Sequence, residues 1–130
     1  MARCADAIAA TAIAWGMLWH APPASAHHSF AAYDRSISRT VEGVVKDYDW
    51  ANPHVKLTLV VRSSDGATRD WTFEGGSVAS LANAGFNRVS AAPGDRITVS
   101  YHPKRSGESG GFFLSIANSN GRTYGPVLAR

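Results

Sequence analysis

The sequence predicts an all-β fold: a small five-stranded Greek-key barrel of the OB type, with one short helix between strands 3 and 4 and a signal peptide in front. Three observations carry this. Strand signals run in the order three strands, one helix, two strands. The first strand contains a glycine and shifts its apolar phase by one residue, as a bulged barrel strand does. About a dozen side chains alternate inward, which suits a small barrel filled by its own residues rather than one enclosing a large ligand. An immunoglobulin-like sandwich is the competitor, but it calls for about seven strands and no helix.

The first 26 residues differ in kind from the rest. Arg3 opens a run that turns apolar from Ala7 to Trp19, and "HAPPASA" ends in Ala24-Ser25-Ala26. An apolar stretch too short to span a bilayer, closed by an Ala-x-Ala site, is the layout of a secretory signal peptide. Asp6 is unusual in such a leader, and an uncleaved anchor or a misplaced start codon are the alternatives. Cleavage after Ala26 leaves 104 of the 130 residues, enough for one core. The single cysteine, Cys4, leaves with the leader, so the remaining domain relies on packing rather than disulfides. The expected organisation is 1–26 signal peptide, 27–39 N-terminal arm and 40–130 barrel with a loose C-terminal tail. The location implied is periplasmic or secreted, with no stable membrane span after cleavage.

Each element follows from its own pattern. Residues 27–38 are a polar lead-in in which Phe30 and Tyr33 are able to pin the arm to a body. In "TVEGVVKDYDW" Val41, Gly43 and Val45 share one parity and Tyr48 and Trp50 the other, which predicts a bulge near Lys46-Asp47. Gly43 suits a bend or a close crossing. "HVKLTLVV" alternates cleanly, with Val55, Leu57, Leu59 and Val61 inward and His54, Lys56, Thr58 and Val60 outward. An Asp-Gly turn leads to "TRDWTFE", where Trp71 and Phe73 oppose Asp70, Thr72 and Glu74, and Gly75-Gly76 ends the strand. Ser77 is placed to cap a helix over "SVASLANAGF" that Gly85 can terminate. "RITVSY" predicts a fourth strand with Ile97, Val99 and Tyr101 inward. "FFLSIANS" predicts a fifth with Phe112, Leu114 and Ile116 in phase. "NGRTYGPVLAR" reads as a turn and a loosely held tail.

Covalent nucleophilic catalysis finds no support: the chain beyond the leader has no cysteine, no Gly-x-Ser-x-Gly elbow and no phosphate-binding Gly-Lys-Ser/Thr loop. No paired carboxylates suited to acid–base work are evident, and no catalytic residue is assigned. Beyond the leader, 12 Lys and Arg against 9 Asp and Glu are scattered without a basic stripe, which argues against nucleic acid as a partner. The expected partner is a small ligand or another periplasmic protein.

The histidines carry the sharper expectation. Cleavage after Ala26 makes His27 the first residue, whose α-amine and ring Nδ1 together close a chelate that no internal histidine forms. A second imidazole opposite gives a T-shaped three-nitrogen site suited to copper, which heads the divalent affinity order. The candidates for that imidazole are His28, His54 and His102. His28 is adjacent and its ring need not face the chelate. His54 and His102 both lie on non-core faces, and His54 is the better placed of the two. The plain alternatives are that His27 and His28 are coil, and that His54 is simply a polar residue at a strand edge or one hydrogen-bonded to a carboxylate such as Glu74. A second candidate constellation, Trp50, Asn52 and Glu74, offers one apolar plate and polar groups for a small molecule, glycan or partner protein with the histidines incidental. Its plain alternative is that Trp50 is core and Asn52-Pro53 only a turn. Trp71 is expected in the core. An oxidative enzyme on the same copper site is a third reading, for which no substrate cleft is visible.

Taken in order, "HHSFAAYD", "VEGVV…WANPH", "WTFEGGSVASLANAGF" and "PGDRITV" resemble a family of exported bacterial proteins catalogued as a domain of unknown function. Its members begin "AHHSF" and carry W-x-NPH, then W-x-FE-x-G, then PGD-x-V. The resemblance runs from His27 to about Tyr124, with a second strand less apolar at its start than in many members. It implies an exported small barrel of Gram-negative bacteria and no particular activity. His27, His28, Ser29, Phe30, Trp50, Asn52, Pro53, His54 and Glu74 stand at its signature positions.

Overall fold

A computed structural model describes residues 30–126 of the chain. The signal peptide expected over 1–26 and the arm residues His27, His28 and Ser29 lie outside the described residues. Among the described residues no helix is long and apolar enough to cross a membrane.

The elements are β1 (Arg39–Asp49), β2 (Lys56–Arg62), β3 (Thr68–Glu74), α1 (Val78–Asn83), β4 (Arg96–Pro103), β5 (Gly110–Asn118) and β6 (Thr123–Tyr124). Strands β3-β2-β1-β4-β5 run side by side, all antiparallel. A parallel pairing of β3 with β5 then closes them into a five-stranded barrel of the OB type, with α1 between β3 and β4. This is the fold class that the strand order and the bulged first strand predict.

The bulge in β1 sits where the phase shift placed it. Val45 pairs with Leu59 and Asp47 with Thr58, so Lys46 has no residue opposite it. The extra residue returns Tyr48 to the inner face, opposite Leu57. Gly43 is a close crossing: a side chain there would press on the Val60 carbonyl and Leu59. Val55, Leu57, Leu59, Val61, Ile97, Val99 and Tyr101 are all buried as alternation predicts, because a period of two leaves no other way to hide so many apolar groups from one sheet. Ser77 caps α1 by accepting the Ser80 N–H at 3.2 Å. Gly85, at φ +89°, supplies the left-handed turn that ends it.

Two expectations need correction. In β5, Phe113 and not Phe112 enters the core, while Phe112 and Leu114 lie half-buried on the outside. The cause is a second bulge. Ser100 pairs with Ser115 but Tyr101 pairs with Phe113, so Leu114 is the unmatched residue and the phase inverts there. The C-terminal stretch read as loose instead contributes β6, paired with Ile116 and Ala117. Tyr124 is buried against Phe86, ring centroids 6.2 Å apart. Residues 127–130 lie outside the described residues.

Barrel closure is short. Only Thr72, Phe73 and Glu74 pair with β5, through Gly110, Gly111 and Phe112. Gly110 holds φ +115°, and a Cβ there would land on the Thr72 carbonyl. A Gly110→Ala substitution therefore meets both an unfavourable backbone region and a backbone clash, and should cost at least about 2 kcal/mol. Gly66→Ala, at φ +84° with open space around it, should cost about 1 kcal/mol. Urea unfolding of the two variants checks the difference, and equal losses would refute a tight closure at Gly110.

Candidate functional site

The outer face beside the closure gathers residues from three distant parts of the chain. Val55 N–H donates to the Gly76 carbonyl at 3.0 Å and Gly75 N–H to the Val55 carbonyl at 2.8 Å, extending the β2–β3 ladder beyond Lys56 and Glu74. His54 lies two residues before Lys56 on the same outward parity, which makes it the diagonal neighbour of Glu74. The two side chains meet: His54 Nδ1 is paired with Glu74 Oε1. Both are partly exposed. With Nδ1–H directed at the carboxylate, the neutral ring carries its lone pair on Nε2.

The other carboxylate oxygen belongs to the arm. The Tyr33 hydroxyl donates to Glu74 Oε2 at 3.1 Å. Tyr33 is buried, packed on the Phe112 ring at 5.7 Å, and Phe30 packs on the same ring at 5.4 Å. Backbone bonds secure the arm further: Asp34 N–H to the Pro103 carbonyl at 2.8 Å, and Arg105 N–H to the Ala32 carbonyl at 2.9 Å. Phe112 stands beside Glu74 in the β3–β5 register, so the row His54, Glu74, Phe112 and Phe30 crosses β2, β3, β5 and the arm. The rule that a buried tyrosine hydroxyl needs a partner was available from sequence, but nothing in the chain's spacing points from Tyr33 to Glu74.

Among the other candidates, His102 is on the outer face of β4 opposite Phe112. Its Nδ1 donates to the Ile37 carbonyl at 2.7 Å, which ties it to the arm and not to Glu74. Asn52, whose peptide bond to Pro53 is cis, accepts the Val78 N–H on Oδ1 at 3.1 Å and so anchors the β1–β2 connection to the start of α1. Trp50 lies partly buried against the core, its ring 5.9 Å from that of Tyr48. Trp71 is half-buried over Phe73 and Tyr101. Thus His54 and Glu74 are brought into contact, whereas Asn52 turns to α1 and Trp50 to Tyr48. Among the described residues no group of three His, Cys, Asp or Glu side chains is arranged to hold a metal ion. His27 and His28 lie outside the described residues.

Burial pushes the Tyr33 hydroxyl up to about 12, and the neighbouring charge and hydrogen bond of Glu74 act in the same direction. An unfolded tyrosine ionises near pH 10. The stabilisation from keeping Tyr33 neutral is therefore complete below pH 10 and is lost as pH rises through about 12. Tyr33→Phe should lose less stability than the wild type between pH 10 and pH 12, read from urea midpoints across that window. Parallel loss in both proteins would exclude this role for the hydroxyl.

In comparison with known proteins, no curated protein and no solved structure matches the chain. A family of unknown function (DUF6152) matches residues 16–113, which takes in the arm, the His54–Glu74 pair and the barrel through Phe113. The chain belongs to that family.

Proposed function

We propose that this protein is an exported, periplasmic binding domain for a copper-like ion, held by the α-amine and imidazole of His27 after signal-peptide removal, with His54 as the opposing imidazole and His28 as its alternate. The observation that carries the reading is the Glu74 carboxylate on His54 Nδ1, the same contact that is a plain alternative for a histidine with no metal role. A carboxylate holding one ring nitrogen is the usual way a protein fixes the tautomer and orientation of a metal-binding histidine, leaving Nε2 for the ion. His102 has its Nδ1 on the Ile37 carbonyl, which fixes that ring as well; His54 differs in having a carboxylate partner, which makes its ring the more basic ligand.

The arm supports the same reading. Phe30 is anchored on Phe112, whose backbone neighbour across the closure is Glu74. Two residues, His28 and Ser29, stand between His27 and Phe30, so three chain steps give an extended reach of at most about 10 Å. That covers two strand spacings of about 4.8 Å each, the width from Phe112 on β5 across β3 to β2. The ligand set, two imidazoles and an amine, matches copper(II) better than a hard cation. Binding requires the amine to be deprotonated, so affinity should rise with pH through the ordinary α-amine range near 8. The rival reading, a metal-free interaction face of Trp50, Asn52 and Glu74, is weakened because the Asn52 carbonyl oxygen already serves Val78 and Glu74 serves His54 and Tyr33.

Isothermal titration of the correctly processed protein with copper(II) tests the proposal. His54→Ala should weaken binding strongly, and Glu74→Gln should weaken it by about 10- to 100-fold. His102→Ala should leave it unchanged. One residue added before His27 should abolish the tight site by removing the amine chelate. Equal weakening by His54→Ala and His102→Ala, or affinity no better than that of a free His-His peptide, would refute it.

A further inference from the structure

A cavity of about 320 Å³ opens where the barrel wall is incomplete. β5 pairs with Thr72, Phe73 and Glu74 alone, so the first half of β3, up to Trp71, has β2 on one side and no strand on the other. The β4–β5 loop, residues 104–109, rims this gap without closing it. Aromatic rings form one wall: Trp71 and Tyr101 meet edge to face, centroids 6.2 Å apart and planes at 89°.

The charges at the mouth are unequal. Lys104 Nζ pairs with Glu108 Oε2 at 3.4 Å, and Arg105 approaches Asp34 at 3.9 Å. Asp34 is further engaged by the Ser36 N–H at 3.1 Å and the Ser36 hydroxyl at 2.6 Å. Arg39 also lines the cavity, and among the described residues its guanidinium has no carboxylate partner. Arg39 is exposed, at the first position of β1. Arg39 is directly opposite Tyr101 and two residues before Val41, in the inward phase of β1. Directly opposed residues share a face of the sheet, so an apolar residue there would continue the core. An arginine instead stands beside the Trp71–Tyr101 wall and leaves the lining with one uncompensated positive charge.

We propose that this cavity binds a small monoanion built on a flat ring, an aromatic carboxylate, with the carboxylate on Arg39 and the ring against Trp71 and Tyr101. The planar guanidinium fork matches a carboxylate in two hydrogen bonds. Offset or edge-on contact with aromatic walls favours a flat ring over an aliphatic chain. The volume is at the lower end for ligand pockets and suits one or two fused rings. A single negative charge balances the lining, whereas a dianion would be left in excess beside Glu108 and Asp34. None of the residues invoked for the copper site is needed here.

Benzoate and indole-3-carboxylate, titrated into nitrogen-15-labelled protein, test the site by NMR. Each acid should give saturable shifts at the Trp71 indole N–H and the Arg39 side chain. Benzamide, the same shape without the charge, should bind at least about ten-fold more weakly. Arg39→Gln should weaken benzoate by at least about ten-fold, while Arg62→Gln, a cation outside the cavity, should leave it unchanged. Failure of both acids to saturate, benzamide binding as well as benzoate, or undiminished affinity in Arg39→Gln would each overturn the proposal. The benzamide comparison uses the unaltered chain and so does not depend on how any variant folds.

Discussion

Three residue pairs, Thr72–Gly110, Phe73–Gly111 and Glu74–Phe112, turn a curled sheet into a barrel, and most of what is distinctive here depends on them. The parallel closure is possible because the β5 backbone comes close enough to touch. At Gly110 a side chain would fall on the Thr72 carbonyl, and at Gly111 on the His102 carbonyl. Shortness matters as much as tightness. The half of β3 that is closed presents Glu74 beside Phe112, and the half left open exposes Trp71 to the cavity. One constraint thus creates two neighbouring environments of different chemistry, a carboxylate with an imidazole on the outside and an aromatic pocket with a cation at the gap.

Glu74 then acts as the junction between body and arm. A partly buried carboxylate is costly unless its oxygens are bonded, and among the described residues one oxygen serves His54 and the other Tyr33. The division means that the orientation of the His54 ring and the docking of the arm share one group. Phe112 performs the matching apolar role. Because the bulge at Leu114 turns it outward, it offers Phe30 and Tyr33 a surface to pack on. Without that inversion Phe112 would turn into the barrel, and Phe30 and Tyr33 would lose the ring they pack on.

How much of this was legible follows from the range over which each signal acts. The β1 bulge could be read at Lys46-Asp47 because parity is a property of neighbouring residues, and Val45 and Tyr48 could not both point inward without it. The β5 bulge could not, because Phe112, Phe113 and Leu114 are consecutive apolar residues and the even phase, Phe112, Leu114 and Ile116, is a continuous inward set with no slip to signal a bulge. Only pairing with β4 and the fit of Phe113 against Phe86 decide the phase. His54 and Glu74 could be assigned to outward faces of adjacent strands, and their contact was one of two plain readings of His54. The Tyr33 hydroxyl, the Asn52 cap on α1 and the inward phase of Arg39 at an open mouth each join residues whose relation appears only once the barrel closes.

The sequence by itself determined the class of fold, the order of its elements and the inward sets of β1, β2, β3 and β4, because alternation, glycine punctuation and capping are local chemistry that each segment expresses alone. Tertiary structure alone decided the phase of β5, the pairing of Tyr124, the sharing of Glu74 and the cavity beside Arg39. Those depend on which strand lies next to which and where the closure stops. That is settled by the mutual fit of side chains far apart in the chain, such as Gly110 against Thr72, and not by the preference of any one of them.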